Sequence, residues 1–168
     1  MQRRTLLTLG LLSSVLLVVA GGAATLLQPG LQAGVLTSTG REVFSAIGNA
    51  ILDKTLPTDS AARTTALNSL LDRIDLLVSG LPPHAQAELS QLLSLLGSAV
   101  GRNTLAGLNT PWPEADIEQV QQALQGMRFS SLALRQQAYA ALHDITAGAY
   151  FSDPSSWPLL GYPGPLKI

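Results

Sequence analysis

From Val43 to Ile145 the apolar residues of this chain recur every three or four positions, the period of a helix with one buried stripe. Val43, Ile47 and Ile51 fall on one face, with Phe44 and Leu52 beside them. Thr39 followed by Glu42 has the spacing of a capping box, in which each side chain satisfies a backbone donor of the other residue. Leu56-Pro57 ends this first helix, because proline brings no N–H and its ring clashes with the preceding turn. Asp59 or Ser60 caps a second, whose stripe is Leu67, Leu70, Leu71, Ile74, Leu77 and Val78. Gly80 and Pro82-Pro83 punctuate it. A third passes through Leu89, Leu92, Leu93, Leu96 and Val100, and leucines on more than one face predict a central place for it.

The break "GRNTLAGLNTPWP" surrounds Trp112 with loop-forming residues. Pro113 suits the first turn of a fourth helix, and Glu114 and Asp116 suit its positive end. Its stripe is Ile117, Val120 and Leu124. Ser130 or Ser131 opens a fifth through Leu134, Ala138, Leu142 and Ile145. No segment alternates as a half-buried strand does, and no period repeats. The pattern predicts an all-α bundle of about five helices over residues 31–149.

Two segments fall outside the bundle pattern. Residues 1–30 carry Arg3 and Arg4 and then no charge until Arg41. Leu6 to Leu27 is 22 residues, roughly 33 Å as a helix, against about 30 Å for a bilayer core. Arginines at the N-terminal end predict that this end stays in the cytoplasm while the rest is exported. Arg3-Arg4 followed by Thr5, Leu6 and Leu7 resembles the signal of the bacterial twin-arginine export pathway, with Gln2, Leu6 and Thr8 departing from its usual residues. Small residues at Ala20-Gly21-Gly22 and Gly22-Ala23-Ala24 have the spacing signal peptidase requires. The run exceeds the 7–15 apolar residues of a cleaved signal, which favours a retained membrane anchor.

Residues 150–168 hold Tyr150, Phe151, Trp157 and Tyr162 among Pro154, Pro158, Pro163 and Pro165. The stretch from 148 to 165 reads as irregular rather than helical. Prolines lower the entropy lost on docking, and Trp and Tyr supply amphipathic contact area. Asp153-Pro154 favours a turn, and Gly161 and Gly164 permit backbone angles that other residues avoid. The tail either caps its own bundle or docks into a groove on a partner, and the two are compatible.

Charged residues are 12% of the chain, about half the usual share, so apolar surface is left over. A net charge of −1 gives no basic face for nucleic acid. The absence of cysteine excludes disulfides and Cys-ligated clusters. His84, beside two prolines, reads as solvent-exposed. His143 and Asp144 are sequence neighbours whose side chains should diverge by about 100° on a helix. Asp72, Arg73 and Asp75 read as the solvated face of the second helix. "GSAVGRNT", residues 97–104, is a faint phosphate-loop likeness without its lysine or a preceding strand. No acid, base and nucleophile converge, so catalysis by this chain is not expected, nor a metal or cofactor bound to it.

"YFSDPSSWPLLGYPGP", preceded by "RQQAYAALHDI" and headed by the twin arginines, resembles the gluconate 2-dehydrogenase subunit 3 family. Tyr150, Asp153 and Pro154 match its Tyr-x-x-Asp-Pro element, and Trp157, Gly161, Tyr162, Pro163 and Gly164 match its closing element. Many members carry a glycine-rich insertion where only Ser155-Ser156 stands here. The resemblance implies a helical accessory subunit that grips a large flavoprotein dehydrogenase of the glucose–methanol–choline type through those residues. It implies FAD in that partner and export with it through the twin-arginine machinery to the periplasmic side of the inner membrane. The low charge leaves a different expectation open, a free periplasmic bundle holding a lipid or other apolar ligand.

Overall fold

The computed structural model describes residues 28–164, and these are all-α with very little strand. The helices are α1 (Ser38–Ile51), α2 (Ser60–Ser79), α3 (Pro83–Gly97), the single turn α4 (Ala99–Gly101), α5 (Ile117–Arg128) and α6 (Ala133–Phe151). A π-helical turn, Arg102–Ala106, follows α4, and a 3₁₀ segment, Pro154–Leu160, follows α6. The candidate anchor, with Arg3, Arg4, Leu6 and Leu7, lies outside the described residues. Among the described residues no helix is long and apolar enough to cross a membrane.

Two short strands precede the bundle, β1 (Leu31–Gln32) and β2 (Val35–Leu36), antiparallel with Leu31 opposite Leu36. The absence of strands expected from the sequence is corrected here. Two residues are too few to show alternation, and the turn places Ala33 at φ 51° beside Gly34 at φ 77°, a conformation a non-glycine residue seldom signals.

Central place belongs to α1, not to α3. Helix α1 packs against α2, α3, α5 and α6 and buries Val43, Phe44 and Ile47 completely. Gly40 and Gly48 let its neighbours in: a Cβ on Gly40 would lie 2.4 Å from the Gly30 carbonyl oxygen, and one on Gly48 2.7 Å from Leu70. The α3 leucines Leu89, Leu92, Leu93 and Leu96 are buried, but Val100 falls beyond α3 and is exposed.

Helix starts follow the capping chemistry, partly at other residues than expected. Thr37, not Thr39, caps α1; its hydroxyl accepts from Gly40 N and donates to the Pro29 carbonyl. Asp59 caps α2. Pro113 and Glu114 lie in a turn ahead of α5, which starts after Asp116 with a capping box to Gln119. Neither Ser130 nor Ser131 caps α6; Leu132 holds that position without a side-chain acceptor, while Ser130 Oγ accepts the Leu132 N–H.

Helix directions follow from the ties between helices. Arg63 near the start of α2 bonds Asn49 in the last turn of α1 and Asp53 just beyond it, while Asp75 reaches Arg41, so the two run antiparallel. Gln121 Nε2 donates to the Ala50 carbonyl, which ties α5 to the last turn of α1.

Candidate functional site: the C-terminal tail and its seat on the bundle

The tail is more regular than its composition indicates. Helix α6 continues through Tyr150 and Phe151, because no proline intervenes before Pro154. Pro154 then occupies the first position of the 3₁₀ segment, where its missing N–H costs nothing. Tyr150 is half-buried against the hydrophobic core, with Phe151 edge-on at 5.1 Å between ring centroids.

Asp153 joins tail to bundle. Its Oδ1 accepts from Ser155 N at 2.9 Å, capping the 3₁₀ segment. Its Oδ2 accepts from Arg73 Nη1 on α2 at 3.2 Å, while Arg73 Nε donates to the Ala149 carbonyl at 3.0 Å. The Ser155 N–H, then the Ser155 side chain, with a smaller contribution from Arg73, hold the Asp153 carboxyl below its ordinary pKa against some desolvation. Ser156 is buried, and its hydroxyl donates to the Asp153 carbonyl.

Beyond this seat the tail folds on itself. Trp157 Nε1 donates to the Phe151 carbonyl at 2.9 Å, and its ring meets Tyr162 edge-on at 5.3 Å. Gly161, at φ 65°, ends the 3₁₀ segment and turns the chain so that Tyr162 N donates to the Trp157 carbonyl. Gly164, at φ 94°, lies against the Trp157 ring, where a Cβ would stand 3.3 Å away. Trp157 is half-buried but outside the hydrophobic core, and Tyr162 is 47% exposed. Trp157, Gly161, Tyr162 and Gly164 thus form one unit, with Pro163 inside its loop, whereas Tyr150 and Asp153 belong to the seat.

Arg73 was not legible as part of this seat. Of Asp72, Arg73 and Asp75, expected to be a solvated face, Asp72 is exposed as expected, whereas Arg73 and Asp75 are half-buried ties: Arg41 Nη2 pairs with Asp72 and Asp75, and Asp75 Oδ1 accepts from Leu36 N at 2.7 Å. Their partners lie more than 30 residues away, beyond the reach of helical periodicity. The available signal was an arginine between two aspartates on a helix already rich in apolar residues.

The histidines stand apart. His84 is exposed at the start of α3. His143 stacks on Tyr139 at 5.5 Å, and its Nδ1 lies 3.1 Å from Asp144 Oδ1, so the expected divergence does not hold for these two surface side chains. Residues 97–104 form the end of α3, α4 and the π-helical turn, with no strand before them. Among the described residues no three His, Asp or Glu side chains are grouped to hold a metal ion.

No protein-family model, curated protein or solved structure matches this chain. Chemically the tail offers aromatic contact area, a fixed backbone and a carboxylate already committed to Arg73 and Ser155.

Proposed function

We propose that this chain is a non-catalytic small subunit of a periplasmic FAD-dependent dehydrogenase of the glucose–methanol–choline type. It assists the export of that enzyme by the twin-arginine route and its attachment to the inner membrane. The observation that carries this reading is the tail: an aromatic unit held outside the core, with Tyr162 half exposed and its backbone already ordered by Asp153, Gly161 and Gly164. A segment ordered in advance loses little entropy when a partner covers it. Arg3-Arg4 ahead of a 22-residue apolar run supplies the address. A flavoprotein folds around FAD in the cytoplasm, and a pathway that carries folded cargo moves it together with a signal-bearing subunit.

Two measurements test this. Changing Arg3 and Arg4 to lysine is expected to strand the partner's dehydrogenase activity in the cytoplasm, measured in fractionated cells; unchanged periplasmic activity overturns the export role. Trp157→Ala is expected to reduce co-purification of a yellow, larger subunit from native membranes by at least about tenfold, the scale of an aromatic hot spot. Bundle helicity should stay unchanged, because Trp157 is not a core residue. Full retention of the partner would assign the tail to packing on its own bundle.

A further inference from the structure

The four most exposed large apolar side chains among the described residues are Val100 at 75%, Phe129 at 75%, Leu76 at 74% and Leu132 at 62%. All but Leu76 meet at one end of the bundle. Val100 lies on α4, which folds back against the last turn of α3: a Cβ on Gly101 would overlap the Leu95 carbonyl. In the π-helical turn that follows, the Leu105 carbonyl accepts from Arg135 Nε at 2.7 Å. Arg135 Nη2 stands 3.5 Å from the place of a Cβ on Gly107 and 3.6 Å from that of one on Gly126. The π-helical turn is thereby tied to the end of α5 and the start of α6, and Phe129 and Leu132 lie between those two. Exposed apolar groups gathered in this way mark a contact surface.

This end is also cationic. Residues 97–113 and 119–143 contain Arg102, Arg128 and Arg135 and no acid. All 11 acidic side chains of the chain belong to described residues, and none of them pairs with these arginines. The Arg128 guanidinium lies 5.1 Å over the Phe129 ring instead, so charge and apolar surface are presented together. Arg102 is buried beneath them with its Nε unpartnered, a charge without a counter-ion in a medium of low dielectric.

The place where the apolar N-terminal run joins the bundle argues for what covers this end. The run closes at Leu27, and Gln28 is already on the bundle: its carbonyl accepts from Ser94 Oγ, while Gly30 N and Leu31 N bond Ser90 one turn earlier on α3. Traced back from Leu31, the chain therefore leaves the bundle along the last turns of α3, towards α4, with no residue left over as a linker. A run that spans a bilayer then holds the end of α3 at the lipid–water boundary. We propose that this end of the bundle rests on the membrane, with Val100, Phe129 and Leu132 in the boundary between headgroups and acyl chains and Arg128 and Arg135 on the phosphates of anionic lipids. The inference rests on the reading of Leu6 to Leu27 as a retained anchor and adds to it a second, separable contact. The seat of the tail is at the other end of α6 and stays free for a partner.

Because the chain contains no cysteine, an introduced cysteine is the sole thiol. Full-length Val18→Cys, Asn103→Cys, Ser131→Cys and Ser152→Cys chains each carry one nitroxide and are placed, with discs in excess, in lipid nanodiscs of phosphatidylcholine and phosphatidylglycerol. Labels at Asn103 and Ser131, like that at Val18, are expected to collide more with oxygen than with a water-soluble nickel chelate. Ser152, exposed at the far end of α6, is expected to show the reverse. Phe129→Asp in the Ser131→Cys chain should return that label to water with thermal unfolding unchanged. Arg128→Gln should lower its lipid-contacting population about fivefold, the worth of one basic residue at an anionic surface. A Val18 label in lipid with Asn103 and Ser131 in water overturns the inference and leaves the anchor standing; a Val18 label in water overturns both. Equal readings at Ser131 and Ser152, or lipid contact that survives Phe129→Asp, overturn the assignment to this end of the bundle. Contact as strong in pure phosphatidylcholine overturns the role of anionic lipid.

Discussion

Arg73 sits between Asp72 and Ile74 in the middle of α2, yet both of its bonds go to the far end of the chain, to the Ala149 carbonyl and Asp153. Asp153 is the more sensitive of the pair, since it also caps the 3₁₀ segment through Ser155. Its folded-state pKa is lowered, so its contribution is complete above the unfolded value of about 4 and is lost as pH falls through the lowered one. Neutral pH lies on the plateau, and the tail should loosen only in acid. Asp153→Ala is expected to increase hydrogen exchange at the Ser155 and Ser156 amides about tenfold at neutral pH. That matches losing one hydrogen bond to a charged acceptor, about 1.5 kcal/mol. Unchanged exchange would mean that the Trp157–Tyr162 contact alone holds the tail. The residues Tyr150, Asp153 and Trp157 stand out in the sequence because aromatics and an Asp-Pro pair are conspicuous after a helical run. Arg73 does not, because a long-range ion pair leaves no periodic trace.

At the scale of elements, apolar spacing located all five long helices, since a stripe such as Leu70, Leu71, Ile74 and Val78 records burial directly. Their starts were less legible. Two polar residues often compete for a cap, and backbone angles decide between them: extended Thr37 caps α1, while Thr39 already lies inside the helix. For α5 the choice fell on Asp116, whose carboxylate accepts from Gln119 N at 2.8 Å while the Gln119 side chain accepts in return from Asp116 N. Asp116→Ala removes half of this reciprocal pair and its favourable charge at the helix N-terminus. The expected loss is about 1 kcal/mol, a fall of several degrees in the thermal midpoint of a domain this size. An unchanged midpoint, with unchanged exchange at Ile117 to Gln119, would show that packing of Val120 and Leu124 fixes the helix start without the cap. The β1–β2 hairpin and the central position of α1 were not legible, because both depend on close approach: Gly40 and Gly30 meet only after the chain has folded back.

Across the whole molecule, one stretch of α2 holds both ends of the described chain. Asp75 holds the hairpin through Leu36 N and the start of α1 through Arg41, while Arg73, two residues away, holds the tail. The segment that leads back to the candidate anchor and the segment proposed to dock the partner are therefore fixed to the same rigid element. Asp75→Ala separates the two. The Asp75 side chain is only 14% exposed, so removing it leaves the Leu36 N–H without its acceptor and Arg41 with Asp72 alone. The expected destabilisation is about 2 kcal/mol, with faster exchange at Leu36 and Thr37 and unchanged protection at Ser155 and Gly161. If the tail amides lose protection as well, hairpin and tail are coupled through α2, and a partner seated on the tail would also tighten the hairpin. If only the hairpin loosens, α2 acts as a passive clamp, and each end of the chain can be altered without disturbing the other.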